Sequence, residues 1–91
     1  MKPEFDPRKD AENLAKHGVS LADGDGVLLD PMALTIEDEV SIGERRWVTI
    51  GVNTFGVLLV VVVWTERDVG TRLISVRRAA TTERKSYEKG I

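Results

Sequence analysis

Cysteine is absent from this 91-residue sequence, and histidine occurs once, at His17. Without thiols the chain has no disulfide framework, no thiol nucleophile and no thiolate metal site, and it suits a reducing compartment. A single imidazole among carboxylates rarely holds zinc, so we expect neither a metal nor another cofactor. Long apolar runs are missing too, because the longest, 57–64, has eight residues and a bilayer span needs about 20. The N-terminal residues lack the apolar stretch of a signal peptide, so we expect a cytoplasmic protein without membrane association.

Length and composition predict one soluble globular domain that spans residues 1–91. Hydrophobic residues make up 42% and charged residues 31% of the chain, which is typical of globular proteins. A chain of this size buries about 60 to 65% of its unfolded surface. It therefore has one core and gains stability readily from a partner.

Positive charge is scarce early in the chain and concentrated at its end. Residues 1–66 carry six basic and twelve acidic side chains, a net −6, whereas residues 67–91 carry seven basic and three acidic, a net +4. Guanidinium groups are always charged and bind phosphate through a planar fork, so an arginine-rich segment suggests a phosphate-bearing partner. The alternative is that these residues only solvate the surface. The five arginines of this segment are Arg67, Arg72, Arg77, Arg78 and Arg84.

Two helices are predicted before the first strand. Asp6 can cap a helix that has Pro7 at its first position, and Gly18 can end it, which predicts a helix over 7–17 with an apolar stripe formed by Ala11, Leu14 and Ala15. Ser20 followed by Asp23 predicts a second cap and a short helix through 29.

Alternating and β-branched residues then predict four strands, at 33–37, 45–52, 57–66 and 71–78. Loops at 53–56 and 68–70 are too short for parallel crossovers, so the strands form an antiparallel meander. The third strand is apolar on both faces and is expected at the centre of the sheet. Thr81 is the expected cap of a last helix that ends at Gly90. The fold class is α+β, with two N-terminal helices, a four-stranded antiparallel sheet and a C-terminal helix.

Strand alternation suggests a phosphate clamp. It places Arg77 on the same face of the fourth strand as Leu73, with Arg72 and the expected core residue Ile74 on the opposite face. Arg67 on the third strand can join Arg77 if the register allows, and two converging guanidiniums would stabilise charge on a phosphate. The competing interpretation is that these arginines form surface ion pairs, with Glu44, Glu66 or Glu83.

His17 and Tyr87 each have a structural and a functional interpretation. A histidine in the last turn of a helix is most often a favourable end charge, but an imidazole is also the commonest general base or acid. Tyr87 on the last helix is either a core edge or a phenol that faces a bound base.

Taken together, motifs along nearly the whole chain resemble the BrnT family of type II toxins. The similarity covers about residues 5–88 and lies in the order and spacing of its elements. These elements are Asp6-Pro7-x-Lys9, Asn13-x-x-Lys16-His17-Gly18-Val19, Asp30-Pro31, Gly43-Glu44-x-Arg46, Ile50-Gly51, Thr65-x-Arg67, Arg72-x-Ile74-Ser75-x-Arg77-x-Ala79 and Glu83-Arg84-x-x-Tyr87-Glu88.

The resemblance implies a RelE-like fold and a toxin that cleaves RNA, without a metal, to inhibit translation. It also implies a BrnA-like antitoxin that binds DNA, so that the complex represses its own operon and the toxin meets DNA only indirectly. Carried over by position, it suggests Lys16, His17, Arg67 and Arg77 as catalytic residues. Residues that contact the substrate would be Arg72, Glu83, Arg84 and Tyr87.

Two positions depart from the family pattern. Many members have a histidine where this chain has Val40, before Ser41, and an arginine where it has Val57. These differences favour a second hypothesis, in which the chain is a catalytically weak module that holds the antitoxin and contributes to repression. A homodimer is a further alternative, since an exposed Trp47 or Trp64 would form an apolar patch.

Overall fold

The computed structural model describes residues 5–24, 26–38, 45–53, 58–67 and 70–90. It has an α+β fold in which four antiparallel strands follow one another across a single sheet, so the predicted meander is confirmed. The helices are α1 (Pro7–His17) and α2 (Thr81–Lys89), with two 3₁₀ helices at Leu21–Gly24 and Val27–Leu29, and the strands are β1 (Leu34–Glu37), β2 (Arg46–Val52), β3 (Leu59–Arg67) and β4 (Gly70–Arg78).

Helix α1 has the predicted bounds because both of its ends are capped locally. The Arg8 amide donates to the Asp6 carboxylate at 2.9 Å, and Gly18 adopts a left-handed φ of 73° while its N–H donates to the Leu14 carbonyl. The predicted apolar stripe is wrong, however. Leu14 is 54% exposed, and the buried residue of the helix is Asn13.

The predicted second helix is replaced by the two 3₁₀ helices. Asp10 accepts hydrogen bonds from the Ser20 hydroxyl and the Leu21 amide, which fixes the first turn. Gly24 then packs so tightly on the sheet that an added Cβ would lie 3.0 Å from a methyl of Val76. This contact and the weak helix propensity of glycine explain why the described residues of this segment form 3₁₀ turns instead of the predicted α-helix.

Strand β3 lies between β2 and β4, as its sequence predicts, and its residues Val60, Val61 and Val62 are at most 1% exposed. On one face Val60 and Val62 pack with Val76 and with the fully buried Leu21 and Val27 of the 3₁₀ helices. This cluster is the hydrophobic core, and its formation explains why the short N-terminal turns are held against the sheet.

A bulge in β4 changes which of its residues share a face. Ser75 pairs with Val63, but Leu73 pairs with Trp64, so Ile74 is the extra residue. Leu73 is therefore in the core, at 2% exposure, whereas Ile74 is half-buried. The prediction that Ile74 faces the core and that Leu73 shares the face of Arg77 is wrong for this reason. Arg72, predicted on the opposite face, lies on the same face as Arg77.

Helix α2 begins at Thr81, but Thr81 is not its cap. Ala80 occupies the cap position, and its N–H donates to the Glu83 carboxylate at 2.8 Å. Gly90 ends the helix in a left-handed conformation, as predicted. The predicted loops at 53–56 and 68–70 fall largely outside the described residues, as do Val40, Ser41, Glu44 and Val57.

Candidate functional site

A groove lies between α1 and β4 and is formed by two adjoining pockets of about 260 and 180 Å³. Lys9 and Ile74 line both pockets, so the two lie side by side. The basic groove, as we call it, is defined by six side chains: Lys9, Lys16, His17, Arg46, Arg67 and Arg72.

The register of the sheet brings the three arginines of this groove together. Thr65 of β3 pairs with Arg46 on β2 and with Arg72 on β4, so all three side chains share one face. Arg67 lies two residues beyond Thr65 on the same face. Thr65 itself is 1% exposed and donates its hydroxyl to the Arg45 carbonyl at 2.6 Å, which fixes the centre of the cluster.

Helix α1 supplies the remaining basic side chains. The buried residue of this helix, Asn13, follows Lys9 by four residues and precedes Lys16 and His17 by three and four. At this spacing all three basic side chains project from the side of the helix that meets β4. His17 is half-buried in the last turn, where the second pocket also includes Ser75 of β4.

The groove carries positive formal charge. Its lining includes five cations and two carboxylates, from Asp6 and Glu12, which gives 5 − 2 = +3 with His17 neutral. Asp6 is engaged as the helix cap. The 3.8 Å pair of Lys9 with Glu12 is solvent-exposed and contributes little. The side chains that line the groove therefore carry more positive than negative formal charge.

Arg77 lies outside the basic groove. It pairs with Val61, six residues from Arg67 along β3, which corresponds to about 20 Å at the rise of a strand. Its guanidinium donates two hydrogen bonds, of 2.8 and 2.7 Å, to the Glu83 carboxylate. This pair raises the pKa of Arg77 and lowers the pKa of Glu83. The hypothesis that Arg67 and Arg77 converge as one clamp is therefore wrong, and Arg77 forms the ion pair that was the alternative.

Tyr87 donates its hydroxyl to Asp30 at 2.6 Å, at the other end of α2. The Asp30 carboxylate also accepts hydrogen bonds from the backbone N–H groups of Met32 and Val52. Burial opposes ionisation of this carboxyl, but the three hydrogen bonds outweigh it and lower the pKa of Asp30, while the bond to Asp30 raises the pKa of Tyr87. Glu83 and Tyr87, at i and i+4, thus hold α2 to β4 through Arg77 and to the segment before β1 through Asp30. We call the pairs Arg77–Glu83 and Tyr87–Asp30 the α2 tether. Arg84 is exposed.

The structure thus divides the sequence-predicted site residues into two groups. Lys16, His17, Arg67 and Arg72 line the basic groove, whereas Arg77, Glu83, Arg84 and Tyr87 lie at α2. Sequence reasoning did not select Lys9, Asn13 and Arg46 as site residues. The spacing of Lys9 and Lys16 around Asn13 was a usable signal, but the position of Arg46 depends on strand register.

Among the described residues, no group of three or more His, Asp or Glu side chains is arranged to hold a metal ion. No helix in the described part of the chain is long and apolar enough to cross a bilayer.

A comparison with protein-family models matches residues 5–83 to the family described as ribonuclease toxin, BrnT, of type II toxin-antitoxin system. No curated protein matches the chain.

Proposed function

This chain belongs to the BrnT family of ribonuclease toxins of type II toxin–antitoxin systems, and from that premise we propose that it is a metal-independent endoribonuclease that cuts RNA in the basic groove. The order of helix, antiparallel sheet and C-terminal helix supports a RelE-like fold. The proposed setting is the cytoplasm, where RNA is available and its cleavage stops translation.

The observation that carries the proposal is the convergence of arginines from three strands beside the cations of α1. Arg46, Arg67 and Arg72 share one face of the sheet, and Lys9 borders the same pocket. In RNA cleavage, negative charge builds up on the oxygens around phosphorus. Fixed guanidinium donors stabilise that charge without rearranging at the moment of reaction.

Cleavage without a metal requires two proton transfers. A base takes the proton of the ribose 2′-hydroxyl, the 2′-oxygen bonds to phosphorus, and the bond from phosphorus to the 5′-oxygen breaks. An acid protonates that leaving oxygen, so the products are a 2′,3′-cyclic phosphate and a 5′-hydroxyl end. We assign the base to His17, the acid to Lys16 and the phosphate contacts to Arg67 and Arg72.

The RNA that flanks the cut is proposed to run along β4 towards α2. Arg72, Ser75 and Arg77 face the same side of the strand, so a phosphate chain laid along it passes from the basic groove to Arg77. In this arrangement Arg77 contacts a flanking phosphate, and Arg84, Tyr87 and Glu83 border the RNA beyond it.

The test is cleavage of RNA by purified protein in the presence of a chelator, with the new ends identified. The wild type is expected to produce cyclic phosphate and 5′-hydroxyl ends. Arg67→Ala is expected to lower the rate by about 10²-fold, the usual cost of one fixed donor to a transition-state oxyanion. Lys85→Ala removes another exposed positive charge, on α2, and serves as the control. Loss of wild-type activity in chelator would contradict metal independence.

A second candidate function is that of a module that holds a BrnA-like antitoxin and binds DNA only through it. The observation that favours it is the exposure of three large apolar side chains in the edge strand β1 and in the segment just before it: Leu29, Met32 and Ile36 are 83, 57 and 68% exposed. Such side chains next to an open strand edge favour a protein partner. This function would be supported over the first if the purified protein formed a stable complex with an antitoxin and did not cleave RNA.

A further inference from the structure

Asn13 is a polar residue where the core-facing side of α1 would ordinarily be apolar. It is 7% exposed, and its amide nitrogen donates to the carbonyls of Val19, at 2.8 Å, and Val76, at 2.7 Å. Its amide oxygen accepts the Val76 N–H at 3.1 Å. Both amide hydrogens and the amide oxygen of Asn13 thus bond to backbone partners, and none of these hydrogen bonds is local to the helix.

The bonds to Val76 fix α1 against the edge of the sheet. β4 is an edge strand, and the Asn13 amide pairs with both backbone groups of one of its residues as a neighbouring strand would. The Val76 side chain is fully buried in the core, so this anchor point does not move with the surface. The bond to Val19 fixes the chain just after the helix ends.

Asn13 also lies at the centre of the helical face that lines the groove. Lys9 precedes it by four residues, and Lys16 and His17 follow it by three and four. A small rotation or slide of α1 relative to β4 would therefore move all three side chains together, while the arginines on the sheet would stay where they are.

We propose that Asn13 is a positioning residue for the ribonuclease site. Its two hydrogen bonds to Val76, which we call the clamp, set the position of α1 along β4 and its rotation. They thereby determine how Lys16 and His17 face β4. This inference rests on the proposed function. Misplacing a reacting group by about 1 Å can cost up to 10²-fold in rate. Loss of the clamp therefore lowers kcat, whereas RNA affinity, which comes mainly from the arginines, changes little.

The experiment compares Asn13→Ala with Val27→Ala in cleavage of a short RNA, at a temperature where both are folded by circular dichroism. Val27 is a fully buried core residue that neither lines the groove nor bonds to Asn13, so its truncation is expected to lower Tm and to keep the hydrogen bonds of the clamp. Asn13→Ala is expected to lower kcat at least 10-fold with KM within about threefold of wild type. Val27→Ala is expected to keep both constants. Exchange of the Val76 amide with solvent should accelerate in Asn13→Ala.

If Asn13→Ala does not fold, Asn13→Gln takes its place, because the longer amide keeps its donors and acceptor but displaces the helix. It is expected to show the same loss of kcat. Wild-type kcat in the folded Asn13 variant, or an equal loss in Val27→Ala, would overturn the positioning role while leaving the proposed function intact. Absence of cleavage by the wild type would overturn the proposed function, and the inference with it.

Discussion

At the residue scale, the arginine cluster makes a prediction about RNA binding that does not depend on cleavage. An RNA with 2′-O-methyl groups has no free 2′-hydroxyl, so it binds but is not cut. Removing one phosphate-binding side chain from a complex with single-stranded RNA reduces the slope of log affinity against log salt by about 0.7. Arg72→Ala is expected to produce that reduction, and Lys85→Ala to leave the slope unchanged, when binding is followed by fluorescence anisotropy. Equal slopes for Arg72→Ala and the wild type would show that Arg72 does not bind phosphate.

The sequence indicated part of this site, but not how its residues are grouped. The positions of Lys16 and His17 could be predicted, because they depend only on one helix whose ends are capped locally. Strict alternation predicts that Arg72 lies on the face opposite Arg77, but the extra residue Ile74 shifts the alternation and places both arginines on one face. The partner of Arg77 was one of three candidate glutamates, and only the packing of α2 identifies it as Glu83.

At the scale of elements, α2 is attached mainly by polar contacts, because none of its residues is buried. The carboxyl of Glu83 has a lowered pKa in the folded protein, owing first to its hydrogen bonds with Arg77. Its stabilising contribution is thus complete above the ordinary glutamate pKa of about 4.3 and is lost as the pH falls through the lowered value. The pKa of Asp30 is also lowered, so both halves of the α2 tether weaken in acid.

Glu83→Gln therefore has an effect that depends on pH. The Arg77 side chain is 42% exposed, so solvent screening limits the ion pair to about 1 kcal/mol. We expect the variant to lose that much free energy of unfolding at pH 7 and less at pH 3, because acid moves Glu83 of the wild type towards its protonated, uncharged form. Urea denaturation at the two pH values measures the difference. A constant difference would mean that the ion pair does not stabilise the fold.

The 3₁₀ segment gives a second prediction at this scale. An added Cβ at Gly24 would lie 3.0 Å from Val76 and 3.2 Å from Val62, both fully buried. Gly24→Ala is expected to lower the free energy of unfolding by about 1 to 3 kcal/mol, as overpacking does. Urea denaturation measures this loss, with an unchanged m-value as the sign of a similarly compact native state. Unaltered stability would show that the segment moves away from the sheet at no cost.

Elements whose limits are local were predictable, and those shaped by packing were not. The bounds of α1 follow from Asp6, Pro7 and Gly18, and the strand order follows from short connections. The prediction of a second α-helix was wrong, because the tight contact of Gly24 with the sheet outweighs the helix cap that Ser20 could provide. The apolar stripe of α1 was misplaced because the helix docks through the amide of Asn13.

At the scale of the whole molecule, an acidic protein has a basic groove. The net charge of −2 and the positive C-terminal segment pointed to a phosphate-bearing partner, but Lys9, Lys16 and Arg46 of the groove come from the acidic part of the chain. Folding gathers them beside Arg67 and Arg72, so the distribution of charge in space carries information that its distribution along the chain does not.

The most direct measurement of the central claim is growth after induced expression, with bulk RNA followed in the same cultures. Wild-type protein is expected to arrest growth and degrade RNA, whereas Arg67→Ala at the same soluble level is expected to do neither and Lys85→Ala to behave as wild type. Healthy growth with intact RNA at high soluble expression of the wild type would contradict an active ribonuclease, and it would favour the module that binds an antitoxin.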